Sequence, residues 1–346
     1  MVLLSHGRHF LSATWVSAEV FRIGGFLGVE LFFVLSGFLI GGIVWRSFKD
    51  APQDTVWVKG FLARRWLRTL PNYFLFLGVN ALLIATALLP GHVSDLLPFV
   101  FFVQNLAWPH PPAFGEAWSL AVEEVFYLTF PLLLLLFGKH GGRKEGVFLG
   151  VIIMMLFLPL IARILAVTFT EPAWDAGVRK IVVFRLDSLM LGVVAGWLNR
   201  EYRISETLGQ GAFILAAVTI LGAVLLIFFR GETFLNADAF ARIGLFPLAS
   251  LGFVFVLLAG LRYAQVRHVF NRPIYACARW SYALYLTHMP VFHIIVSKMG
   301  FAKAHDSGGA VLRWSLFMVC SFAIAALVEK WFERPILQWR DRVYPH

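Results

Sequence analysis

Apolar residues in this chain come in long runs rather than in the spaced stripe of a helix that buries one face. Stretches long enough to cross a bilayer fall near residues 1–16, 27–46, 69–90, 117–137, 146–168, 181–199, 209–229, 241–261, 279–298 and 311–332. The pattern predicts an all-α polytopic membrane protein of about ten transmembrane helices. It reads as one domain over 1–346, with no soluble extension. The first run is shorter than the ~20 residues a crossing helix needs, so a truncated first helix is expected. Two connections are long. Residues 47–68 should be cytoplasmic and end in a short interfacial helix. Residues 91–116 carry no Lys or Arg and should form a re-entrant or interfacial segment on the outer side.

Composition agrees with the pattern. The chain is 59% hydrophobic and 14% charged, against about 45–50% and about 25% in soluble domains. Its two cysteines, Cys277 and Cys320, lie far apart, which argues against a disulfide framework or a metal site. The net charge of +10 is explained by where the charges fall. Nineteen Lys and Arg lie on one side of the predicted spans, including Arg46, Arg64, Arg65, Arg68, Arg203 and Arg267, and eight on the other. The positive-inside rule then puts both termini in the cytoplasm. The basic excess is topology, and no nucleic-acid partner is expected.

Ionisable residues inside the runs narrow the function. A charge at the bilayer centre costs about 2.5–3.5 kcal/mol on insertion scales, so such groups face a bundle interior. They are His6, Arg8, Glu30, Glu123, Glu124, Arg163, Arg185, Asp187, His288, His293 and Glu329. Counted at about 1.5 Å per residue, several lie between the midplane and the outer face, which predicts a polar pocket there. Ser119, Glu123 and Tyr127 form an i, i+4 row, and Glu123 is expected to face the pocket. Glu124 points elsewhere and should pair with an arginine of another helix, Arg185 being one candidate. Paired or neutral structural acids are the competing reading for both. His6 is the strongest general base, because histidine titrates near neutrality. Ser36, Gly37, Gly41 and Gly42 suit close helix packing. Arg64, Arg65 and Arg68 crowd one turn, which favours a polyanion: lipid headgroups or a phosphate-bearing cofactor.

Five motifs in order, GVELFFVLSGFLI, FLARRWLRTLPNY, WSLAVEEVFYL, FRLDSLMLG and SYALYLTH, resemble the acyltransferase 3 family of bacterial membrane enzymes. The resemblance implies transfer of an acyl group, usually acetyl from acetyl-CoA, to hydroxyls of envelope glycans such as lipopolysaccharide or peptidoglycan. It implies a site in the bacterial inner membrane. His6 matches the histidine of the family's R-x10-H element, whose arginine would fall before Met1. Glu30 matches an acidic position, Arg65 and Arg68 the R-x-x-R element of acyl-CoA use, and Ser281 and Tyr285 an S-x-x-x-Y element. The expected catalytic set is thus His6, Glu30 and Glu123, with Arg64, Arg65 and Arg68 on acyl-CoA. Tyr73, Trp118, Ser119, Arg185, Asp187, Ser281, Tyr285 and His288 are expected to bind substrate. No metal is expected, and homo-oligomerisation is left open. A transporter or flippase without chemistry is the other class considered; it predicts inverted repeats, and no internal symmetry is visible.

Overall fold

Two glycine-bearing helices cross at the centre of the molecule. The computed structural model describes all residues except 52–53, 140–142, 203–205, 264–270, 302, 304 and 345–346, so Arg203 and Arg267 lie outside the described residues. Among those described, every regular element is helical. They are α1 (Val2–Gly7), α2 (Arg22–Asp50), α3 (Thr55–Ala85), α4 (Leu97–Val100), α5 (Ala117–Gly138), α6 (Lys144–Thr170) and α7 (Leu186–Glu201). Then follow α8 (Glu206–Ala237), α9 (Ala239–Ile243), α10 (Leu245–Tyr263), α11 (Asn271–Met299), α12 (Ser307–Val328) and α13 (Arg334–Val343). α8 bends at Gly231, whose φ of 68° favours a residue without Cβ.

Among the described residues, six segments are long and apolar enough to cross a membrane: Val16–Asp50, Thr55–Ala85, Ala117–Gly138, Lys144–Thr170, Gly211–Gly231 and Ser307–Val343. The chain is therefore an integral membrane protein. Of the ten or so crossings expected, these six meet that length and composition among the described residues, and Leu245–Leu261 is a shorter apolar helix. Residues 1–16 form only a six-residue helix and short 3-10 turns. α7 has 16 residues, and the 29-residue α11 is too polar to qualify. Outward faces such as Phe157, Leu158, Ile161 and Leu165 on α6 and Phe213, Ile214 and Leu221 on α8 are exposed and apolar, as lipid contact requires.

The α2–α7 crossing is held at backbone distance. A Cβ on Gly37 would lie 1.9 Å from the Leu189 carbonyl oxygen, and one on Gly192 2.1 Å from that of Val34. Gly41 and Gly196 are similarly tight, whereas Gly42 meets nothing within 4 Å. Small residues one turn apart on both helices thus let the backbones touch. Ser36 is not part of this contact; its hydroxyl lies 2.8 Å from Tyr127 Oη.

The two long connections differ from one another. The short helix expected to run into the third span is the start of a continuous α3, capped by Asp54, whose side chain accepts from the Val56 amide at 2.8 Å. Arg64, Arg65 and Arg68 therefore sit on one rigid helix. Residues 91–116 fold as short turns around α4 and tuck into the protein, with Phe99, Gln104 and Asn105 fully buried. Gln104 and Asn105 donate to the Ala117 and Trp118 carbonyls (3.2 and 3.1 Å), bracing the first turn of α5.

Candidate active site

His6 is carried by α1, which packs on the first turns of α2. Gly24, Gly25 and Gly28 make room for Met1, Ser5 and Val2, and Ser5 Oγ donates to the Arg22 carbonyl at 3.2 Å. From this position the His6 ring meets His288 of α11, with centroids 5.1 Å apart. His288 is 1% exposed, and its Nε2 has no hydrogen-bond partner among the described residues. Tyr285, one turn earlier, lies 5.7 Å from the His288 ring and stacks on Phe32. Its hydroxyl donates to the Glu116 carbonyl at 3.0 Å and meets Ser119 Oγ at 2.7 Å.

From Ser119 the polar row runs along α5. Tyr127 Oη donates to Glu123 Oε1 at 2.7 Å. Ser119 and Tyr127 are separated by about 12 Å at the helical rise of ~1.5 Å per residue. Arg65 lies within electrostatic reach of both Glu123 and Tyr127. Polar side chains are therefore spaced from the histidine pair, through Tyr285 and Ser119, to Glu123 and Tyr127 and on toward Arg65 of α3. Neither Arg65 nor Arg68 is in an ion pair among the described residues, and Arg68 is exposed. Arg64 pairs with Asp341 at 3.1 Å.

The remaining expected site residues are placed differently. Glu30 is fully buried; one carboxylate oxygen takes Arg185 at 2.5 Å, and the other takes Ser188 at 3.2 Å and Ser250 at 2.9 Å. Asp187 pairs with Arg163 at 2.8 Å, and Arg185 lies over the Phe246 ring at 4.3 Å. Glu30, Arg185 and Asp187 thus form a sealed ionic cluster among α2, α6, α7 and α10. The suggested Glu124–Arg185 pair does not form. Glu124 accepts instead from Thr69 Oγ1 at 2.7 Å, because it faces α3 rather than α7. Tyr73 donates to the Phe99 carbonyl at 2.8 Å, anchoring the segment 91–116 to α3. Ser281 is exposed and bonds only its own helix, at the Ala278 carbonyl.

A group around Arg179 was not singled out from sequence. Arg179 lies over Trp118 at 5.0 Å and Trp174 at 5.7 Å, donates to the Gly25 carbonyl at 3.1 Å and to Asp175 at 2.7 Å, and stands within electrostatic reach of His6. Burial raises the Asp175 carboxyl, but Arg179 and Lys180 outweigh it and bring its pKa down to about 2. His110 is pushed down to about 3, first by burial and then by Lys180. Glu116 Oε1, Gln104 Oε1 and His110 Nε2 are buried without partners among the described residues. Arg179 was legible only as a charge in an outer connection; the one hint was the Trp174 five residues before it. Among the described residues no cluster of metal-ligating side chains occurs.

A helical membrane protein with two inward-facing histidines above an arginine rim has the parts of a membrane-embedded group-transfer enzyme. The chain belongs to the acyltransferase 3 family, whose acyltransferase domain model matches residues 1–330. It is 26% identical to a putative O-acetyltransferase of Staphylococcus aureus, over 93% of this chain and 55% of that protein. Identity to the peptidoglycan O-acetyltransferase OatA of Listeria monocytogenes is 25%, over 90% and 51%. A regulator of hypoxia-inducible factor 1 from Caenorhabditis elegans is 29% identical over 90% and 68%. The chain spans about half the length of the two bacterial relatives. No solved structure matches.

Proposed function

We propose that this protein moves an acyl group, acetyl in the first instance, from cytoplasmic acyl-CoA to a hydroxyl of a cell-envelope or exported glycan. It would work in the bacterial inner membrane with both termini in the cytoplasm, following the charge asymmetry of its connections. The observation that carries this reading is the polar column from Arg65 through Tyr127, Glu123, Ser119 and Tyr285 to the His6–His288 pair. It runs from a cationic rim, suited to phosphates, to a half-buried base, and in this reading the rim faces the cytoplasm. The O-acetyltransferase names of the bacterial relatives point the same way.

In this scheme Arg64, Arg65 and Arg68 hold the phosphates of the donor, for which guanidinium forks are well suited. The acyl-bearing arm follows the column, where Glu123, Tyr127 and Ser36 orient it. His6 takes the proton of the acceptor hydroxyl as its oxygen attacks the thioester carbonyl carbon. The carbon–sulfur bond then breaks, and the thiolate leaves and is protonated. His288 and Tyr285 position the His6 ring and the acceptor, and Trp118, Ser119 and Arg179 line the outer approach. Glu30, Arg185 and Asp187 serve as the frame that fixes α2 against α7 and touch neither reactant.

The test is direct. Purified protein incubated with radiolabelled acetyl-CoA and envelope glycan should label the glycan, and Arg65→Gln or Arg68→Gln should raise KM for the donor. Absence of label transfer from any acyl-CoA offered would end this reading.

A further inference from the structure

The Arg179 guanidinium rests on Trp118 at 5.0 Å and Trp174 at 5.7 Å, and its Nη2 donates to the Gly25 carbonyl at 3.1 Å. Gly25 packs against Ser5, since a Cβ there would lie 2.6 Å from Ser5 Oγ, and Ser5 precedes His6. On the other side Trp118 adjoins Ser119, whose hydroxyl meets that of Tyr285 at 2.7 Å. Tyr285 then meets the His288 ring at 5.7 Å, and His288 meets His6 at 5.1 Å. These contacts close into a ring that holds both His6 and Arg179. Within it His288, Ser119 and Trp118 are sealed, whereas His6, Tyr285 and Arg179 keep partial exposure. Arg179 and Arg8 both stand within electrostatic reach of His6. Arg8 is engaged through Nε and Nη1 by Glu19, the Ser5 carbonyl and His9. Arg179 shares its carboxylate partner Asp175 with Lys180, and its Nε has no hydrogen-bond partner among the described residues. A buried guanidinium N–H left unpaired is costly, so it marks a place for an acceptor oxygen.

We propose that Arg179 is a catalytic residue, the donor that takes up the negative charge formed on the thioester carbonyl oxygen. This rests on the reading of His6 as the base of acyl transfer. As His6 takes the hydroxyl proton, the acceptor oxygen bonds the carbonyl carbon and the carbonyl π pair moves onto its oxygen. Arg179 donates an N–H to that oxyanion. When the pair returns to form the ester carbonyl, the carbon–sulfur bond breaks, and the thiolate takes the proton from His6. A positive charge fixed in advance stabilises most where negative charge develops during the reaction. The two tryptophans hold the guanidinium plane without consuming its N–H groups. Arginine keeps its proton throughout, so Arg179 acts by charge and hydrogen bonding alone.

The full chain in phosphatidylcholine nanodiscs is assayed for thiol release from acetyl-CoA with envelope glycan as acceptor. Arg179→Gln should lower kcat about 10²–10³-fold, the cost of one oxyanion donor, with KM for acetyl-CoA little changed. Asp175→Asn breaks the same ion pair but leaves the guanidinium on its tryptophans. It should lower the midpoint of thermal unfolding similarly, with kcat far less affected. Equal losses of kcat in Arg179→Gln and Asp175→Asn would make Arg179 a structural residue and overturn the inference. So would a loss seen only in KM, or a kcat kept by Arg179→Gln and lost in Arg8→Gln. Loss of transfer in His6→Ala beside full kcat in Arg179→Gln overturns the oxyanion role alone. Undiminished transfer in both overturns the reading of His6 as well.

Discussion

His6 and His288, drawn from opposite ends of the chain, hold their rings 5.1 Å apart inside the membrane protein. His288 is sealed, with an unpartnered Nε2, while His6 keeps partial exposure. In the proposed reaction the more exposed His6 meets substrate and His288 steers it. His6→Ala should lower acyl transfer by about 10²–10⁴-fold, the usual contribution of a general base. Thermal unfolding in detergent should stay near that of the parent protein. Undiminished transfer by His6→Ala, measured as thiol release from acyl-CoA, would remove it from the mechanism.

The Glu30–Arg185 pair makes a different prediction. Both side chains are fully buried, so removing one partner strands a charge. Arg185→Met should destabilise the protein by about 3–5 kcal/mol, read as a lower midpoint of thermal unfolding. Because Ser188 and Ser250 also serve Glu30, the double variant Glu30→Leu with Arg185→Met should recover much of that loss. A double variant no better than the single one would show that the charges themselves, rather than an imbalance, hold the frame.

At the α2–α7 crossing, Gly192→Leu should abolish the folded state, since even a Cβ there would sit 2.1 Å from the Val34 carbonyl oxygen. Gly42→Ala, on the open side of α2, should be neutral or stabilise by up to about 1 kcal/mol through helix propensity. Monodisperse yield after detergent extraction reports both. Equal behaviour of the two variants would contradict the backbone-contact geometry.

His110 should make stability pH-dependent. Its folded pKa is pushed down from 6.5 to about 3, so between these values the unfolded chain binds a proton that the folded chain does not. Stability should therefore fall as pH drops below about 6.5 toward 3. His110→Gln should flatten that part of the profile of unfolding midpoint against pH. An unchanged slope would mean that other groups govern it.

Much of this could be read from the linear chain, for reasons that are local. Long apolar runs must become helices in lipid, because backbone groups there have no water to bond. Helical periodicity alone put Ser119, Glu123 and Tyr127 in one row and separated Glu124 from it. The glycines of α2 announced a close approach, and the crowded Arg64, Arg65 and Arg68 announced an anion. How many runs cross a membrane was less legible, since the 16 residues of α7 and the polar α11 derive their places from neighbours rather than from their own length.

Only the tertiary structure decided which distant residues share a site. It paired Glu30 with Arg185, turned Glu124 toward Thr69, and brought Arg179 beside Trp118 and Arg340 beside Arg64. A helix's period tells which of its residues point together, but not which face of another helix they meet. That choice is made by packing: backbone contact at Gly37 and Gly192 sets the distance over which Glu30 of α2 meets Arg185 at the start of α7.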